Sequence, residues 1–221
     1  MPRGPEVLHG QVRDCTKASM SMQTETSESR PKKRYPAEIL TPGDVERLVA
    51  ACGRGTWTAD RNRALIAVLY RSGLRISEAV ALEPKDLDLE NGSIRVLRGK
   101  GGRARTVGID LVWGEIVSAW MATRARLGLG RRGAVFVARG NAPLSTVHCR
   151  RLLKQLARRA GIERRVHPHG LRHTHAAELR AEGVDIGIIS KQLGHRSIAT
   201  TARYLDHVAP HDVVAAIRAR K

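Results

Sequence analysis

Cysteine is nearly missing from this chain, and aromatic side chains, acidic residues and long apolar runs are scarce. Only Cys15, Cys52 and Cys149 occur in 221 residues. Three thiols so widely spaced form neither a disulfide framework nor a zinc-ligand spacing, and a reducing cytoplasm is the expected home. Aromatics at 3 % beside 42 % hydrophobic residues leave the core to Leu, Val, Ile and Ala, which suits helices. No run approaches the ~20 apolar residues of a membrane span. The opening "MPRGPEVLHGQVRDC" lacks the apolar stretch of a secretory signal. A chain of this length can bury a core without disulfides or metal staples.

Negative charge is what the sequence lacks most. Lys and Arg number 39 against 21 Asp and Glu, a formal net charge of +18. So basic a chain without a secretory signal points to nucleic acid, because neutralised phosphates release condensed counterions and favour binding. An arginine-rich surface inherited from a biased genome is the alternative.

Residues 1–37 show little apolar content and no periodicity, and run from "SMSMQTETSES" into the basic "RPKKRYP". They read as a disordered basic tail or a linker remnant. From Ile39 helical spacing takes over. "TPGDVERLVAACG" offers a Thr41 cap, Pro42 in the first turn and a stop at Gly53. An apolar helix is expected from about Asp60 to Gly73, then a short one in "RISEAVALEP" ending before Pro84. "GSIRVLRGKGGRARTVGI" reads as a β-hairpin, with Ile94 and Val96 alternating on one strand, Val107 and Ile109 on the other, and glycines 99, 101 and 102 in the turn. "LVWGEIVSAWMATRARLG" reads as an amphipathic helix and "AVFVA" as a short extended segment. "STVHCRRLLKQLARRAG" is a helix with leucines inward and arginines outward. Further helices follow, the last over about 210–220. The expected fold class is α+β, mainly helical, with a small antiparallel sheet.

"HPHGLRHTH", residues 167–175, raises two readings. Four histidines suggest a metal. Pro168, however, puts His167 outside the helix, no glutamate lies between His169 and His173, and Arg172 between them would repel a cation. The phosphate reading fares better. His169 and Arg172 are neighbours on one helical face, and a guanidinium fork beside an imidazole can grip two phosphate oxygens. By itself such a pair is weak.

Two further stretches complete a pattern: "YRSGLRISEAVAL" before it and "LGHRSIATTARYL" after it. With them the chain resembles the tyrosine recombinase (phage integrase) family, Xer-like, over about Ile39 to Arg218. The resemblance implies a tyrosine recombinase catalytic-domain fold over residues 38–221. It places the family's first arginine on Arg75, its hairpin lysine on Lys100, its His-x-x-Arg on His169 and Arg172, its second histidine on His195, and its nucleophile on Tyr204. Among three tyrosines, Tyr204 is also the best candidate on position alone, since Tyr35 lies in the tail and Tyr70 inside an apolar helix.

The residue types suit phosphodiester chemistry without a metal. Arg75 and Arg172 would neutralise the nonbridging oxygens as charge develops. Each has a plainer alternative: Arg75 could cap helix carbonyls, Lys100 could be a solvent-facing turn lysine, and Tyr204 could be a packing residue. An ordinary tyrosine pKa near 10 leaves little phenolate, so cationic surroundings are expected to lower it. By resemblance His169 takes or shares the proton, Lys100 protonates the leaving 5′ oxygen, and His195 donates to the phosphate or packs against the nucleophile. His173 and His175 are expected to be scaffolding. His195 and Tyr204 stand nine residues apart, about two and a half helical turns, so they converge only if the chain bends between them. Gly194 and Ser197 can supply that bend.

The implied partners are double-stranded DNA and further copies of the chain, a homo-oligomer (tetramer) on DNA; no cofactor, metal, membrane or small-molecule substrate is implied. Familiar members carry a separate helical DNA-binding domain ahead of the catalytic one, and that core-binding domain is not expected within this sequence. A type IB topoisomerase-like relaxase and a non-cleaving DNA-binding protein, or truncated inactive remnant of the family, remain as alternatives.

Overall fold

The computed structural model describes residues 39–97, 104–208 and Arg218. Eight helices and a three-stranded antiparallel sheet lie within these residues: α1 (Pro42–Ala50), α2 (Trp57–Arg71), α3 (Ile76–Val80), β1 (Leu87–Asp88), β2 (Ser93–Val96), β3 (Arg105–Gly108), α4 (Leu111–Arg126), α5 (Thr146–Arg159), α6 (Pro168–Ala181), α7 (Ile186–Leu193) and α8 (Ile198–Val208). None of these helices is long and apolar enough to cross a membrane. The expected tail at 1–37, Lys100 with its turn glycines, and the expected last helix over 210–220 lie outside the described residues, Arg218 excepted.

Helix α2 is the axis of the fold. Ala64 to Tyr70 are all buried, because α4 packs along one side of it and α6 crosses another. It begins earlier than the sequence suggests. Thr56 caps it by accepting from the Ala59 N–H at 3.2 Å, so the helix starts at Trp57 rather than near Asp60. The apolar run had hidden a polar first turn. Thr41 caps α1 as expected, and Asp44 closes the box by accepting from the Thr41 N–H at 2.9 Å.

The hairpin pairs Ile94 with Val107 and Val96 with Arg105. A third strand not expected from the sequence, Leu87–Asp88, adds to its edge. Two residues are too few for an alternation to show. Helix α4 departs from the simple amphipathic reading: it buries Val117 and Trp120, yet Leu111 is 74 % exposed and Val112 68 %. The "AVFVA" segment forms only an isolated bridge, Val137 to Pro143, although Val135, Phe136 and Val137 are buried. In α5, Leu153 and Leu156 face inward while Arg150, Arg151, Arg158 and Arg159 are exposed.

The apolar interior has two parts. The larger gathers α1 to α5 and the sheet. The smaller is formed by Ala176, Ile189, Leu193 and Leu205 from α6, α7 and α8, with Tyr204 packed against it. Leu171 belongs to the larger part and Ala176 to the smaller, so α6, which carries His169 and Arg172, spans both.

Candidate active site

Helix α6 starts the site. His167 takes an extended backbone and caps the helix, its Nδ1 accepting from the Gly170 N–H at 3.0 Å, and Pro168 fills the first turn. One turn on, Arg172 points inward and is only 2 % exposed. Its Nη1 donates to the Gly73 carbonyl at 2.5 Å and its Nη2 to the Leu193 carbonyl at 2.5 Å. Nη2 also faces His195 Nε2 at 3.3 Å. Both carbonyls belong to helix ends, after α2 and at the end of α7, so their unpaired lone pairs converge on the guanidinium. No ion pair to Arg172 occurs among the described residues. Burial pulls its pKa down to about 10, the charge of Arg75 adds to the effect, and Tyr204 and Glu78 oppose it.

Gly73 must be glycine here. Its φ is +61°, and a Cβ would meet the His175 ring at 2.8 Å. His175 thus packs directly behind the carbonyl that holds Arg172.

Arg75 stands at the N-cap of α3. Its Nη1 pairs with Glu78 Oε1 at 2.9 Å, its own N–H donates to Glu78 Oε2 at 2.9 Å, and its Nη2 approaches the Gly194 carbonyl at 3.5 Å. The carboxylate of Glu78 also takes both terminal nitrogens of Arg105, each at 2.9 Å. Burial alone would raise the Glu78 pKa. The hydrogen bonds from Arg105 and the Arg75 backbone, with both charges, overcome it and hold the group at about 2. One buried anion therefore sets two arginines, one on α3 and one on the hairpin.

The bend between His195 and Tyr204 is present. Gly194 ends α7 in the left-handed region, φ 64° and ψ 47°, and a Cβ there would fall 2.7 Å from Arg105 Nε. Ser197 Oγ accepts from the Ala199 N–H at 3.1 Å as α8 begins. The result brings the His195 ring edge-on to Tyr204 at 5.3 Å. On the other side His173 stacks on Tyr204 at 4.7 Å and 16°, and His169 lies 6.3 Å away. His195 Nδ1 is 2.9 Å from Thr201 Oγ1.

The electrostatics correct one expectation. Burial pushes the Tyr204 phenol up to about 12, although Arg172 and Arg75 pull the other way. Its Oη is buried, and the Arg172 guanidinium beside it lowers the phenol by charge and by hydrogen bonding without overcoming that burial. Desolvation thus outweighs the cations. Burial, then neighbouring cationic groups, lowers His169 below its ordinary value and takes His173 and His195 to about 4. The rings of His173 and His195 are therefore neutral at pH 7, and His169 is exposed. No group of three or more His, Cys, Asp or Glu side chains able to hold a metal occurs among the described residues.

Five of the six residues expected at the site are therefore brought together: Arg75, His169, Arg172, His195 and Tyr204. Lys100 lies outside the described residues. Sequence reasoning passed over Glu78, Arg105 and Thr201. Glu78 three residues after Arg75 at a helix start is a local signal, since a glutamate at that spacing can accept from the N-cap backbone N–H, as it does here at 2.9 Å. His173 was taken as support behind the site; it supports the tyrosine ring itself.

A sequence profile of the phage integrase family matches residues 38–211. The tyrosine recombinase XerC of Thermodesulfovibrio yellowstonii is 34 % identical over 177 residues, 78 % of this chain and 58 % of the relative. The chain thus spans little more than half the length of that relative. Among solved structures, the XerA recombinase has a TM-score of 0.73 at 29 % identity, covering 85 % of this chain and 68 % of that one. The XerH site-specific recombinase bound to its palindromic difH substrate, in a post-cleavage complex, has a TM-score of 0.68 at 26 % identity, covering 82 % and 53 %.

Proposed function

The chain belongs to the phage integrase family, and we propose that it is a site-specific DNA recombinase working through a 3′-phosphotyrosyl intermediate. One observation supports the reading: Arg172 is a buried cation with no carboxylate partner among the described residues, held by two backbone carbonyls and facing the His195 imidazole and the Tyr204 phenol, with the charge of Arg75 nearby. An unpaired buried charge is costly, and a phosphate oxygen is the partner that would relieve it.

In this proposal Tyr204 Oη attacks the scissile phosphorus. The new Tyr–P bond forms as the P–O5′ bond breaks. The phenolic proton passes to His169, and Lys100 supplies a proton to the departing 5′ oxygen. Arg75 and Arg172 hold the nonbridging oxygens as charge builds in the transition state. Because the phenol is held near 12, ionisation is coupled to arrival of the phosphate and to the base, not stored beforehand. Attack by a partner strand's 5′ hydroxyl reverses the step, and the covalent link conserves the bond without ATP, cofactor or metal. Residues 38–221 act as the catalytic domain and 1–37 as its tail. The partner is double-stranded DNA, met in part by the exposed arginines of α5, with copies of the chain assembled as a tetramer in the cytoplasm.

The test is covalent capture. The chain is mixed with a pool of nicked duplexes of randomised sequence, with and without EDTA, and run on a denaturing gel. A protein–DNA adduct that survives EDTA and vanishes in Tyr204→Phe supports the proposal. Binding with no adduct would make it a non-cleaving DNA-binding protein. Plasmid relaxation by the monomer without recombinants would make it a relaxase.

A further inference from the structure

The hydrogen bonds of His195 carry information that its position alone does not. A guanidinium has donors and no acceptor. With Arg172 Nη2 at 3.3 Å from Nε2, that ring nitrogen must present its lone pair. The ring proton of the neutral imidazole then belongs to Nδ1, which lies 2.9 Å from Thr201 Oγ1. Thr201 is fully buried and stands three residues before Tyr204 on α8. One helix face therefore carries both the nucleophile and the anchor of the histidine that touches it.

We propose that Thr201 is a positioning residue that holds His195 as its Nδ1–H tautomer in the DNA-free protein and couples it to the nucleophile-bearing helix. A hydroxyl both accepts and donates. The same Thr201 Oγ1 can accept from Nδ1–H while Arg172 occupies Nε2, and donate to Nδ1 once the ring proton sits on Nε2. The second arrangement lets His195 donate to a phosphate oxygen, and that clause rests on the recombinase reading above. The exchange moves one proton between the ring nitrogens through solvent or phosphate, with no net change in charge. A valine at 201 removes both arrangements, whereas a serine keeps both.

The experiment uses the full chain with 15N-labelled histidine and two-bond 15N–1H correlation at pH 7.5, without DNA, His195 being assigned by the peak lost in His195→Gln. The expected pattern is the Nδ1–H tautomer; an Nε2–H pattern or an averaged mixture overturns the proposal. Thr201→Val should lose the preference and slow single-turnover adduct formation about tenfold or more. Thr201→Ser should restore both. A Thr201→Val protein with the parent's tautomer overturns the proposal as well, and should that variant fail to fold, the parent and Thr201→Ser spectra decide. If the parent forms no adduct with any DNA, the recombinase reading fails while the tautomer result still stands or falls by itself.

Discussion

Replacing His175 by leucine should make the protein more resistant to acid. The ring is 4 % exposed, and neither nitrogen has a hydrogen-bond partner among the described residues. Burial first, then the charges of Arg71 and Arg172, pull its pKa to about 3, from an ordinary value of 6.5. A base whose folded pKa lies below its unfolded one binds fewer protons folded than unfolded. Stability is therefore unaffected above pH 6.5 and is lost progressively as pH falls from there toward about 3. At pH 5 the unfolded chain has gained most of one proton that the fold refuses, a loss of about 2 kcal/mol. By pH 3 the deficit reaches about 4 kcal/mol, close to a whole domain's margin. His173 and His195 add to the same acid limb, but they are present in both proteins and cancel in the difference. Glu78 does not intrude at pH 5 to 7, because its stabilisation is complete above about 4.5 and fails only as pH falls toward 2. The assay is urea unfolding of parent and His175→Leu at half-unit steps from pH 7.5 to 5. The two stabilities should lie close together at pH 7.5 and diverge to about 2 kcal/mol at pH 5. Parallel curves would refute the reasoning, since they would mean that the ring is protonated in the fold or hydrated there.

Three further substitutions test the anchors of the site. Arg172→Lys cannot reach both the Gly73 and Leu193 carbonyls with a fork, so adduct formation should fall about 10²-fold or more in single-turnover assays even where the fold survives. Glu78→Gln leaves Arg105 and Arg75 without their shared anion and should cost about 3 kcal/mol in denaturant unfolding at pH 7. Gly194→Ala forces a left-handed backbone on a residue whose Cβ would meet Arg105, and should destabilise by about 1–3 kcal/mol while slowing cleavage through displaced His195.

What the sequence made legible follows from how local each determinant is. Caps and helix ends, such as Thr41 and Gly194, are satisfied within a turn, so residue type and spacing suffice to find them. The convergence of His195 and Tyr204 could be anticipated for the same reason, since a bend between two short helices is a local requirement. The two-residue strand Leu87–Asp88 was hidden because it has no pattern of its own and exists only by pairing with Ser93 and Ile94. The Tyr204 pKa was misjudged for a related reason. Counting nearby cations from the sequence captures their charge, but not the burial that His173, His195 and the α6–α7–α8 cluster impose on the phenol. The sign of such a shift depends on the balance of charge and desolvation, and only the second requires three dimensions. That balance also has a functional direction. In the proposed reaction a phosphate on Arg172 would supply the negative charge that its carbonyl partners do not, and the exposed His169 would receive the phenolic proton. With its phenol held near 12, Tyr204 stays protonated at neutral pH, and the proposed cleavage would couple its ionisation to the arriving phosphate.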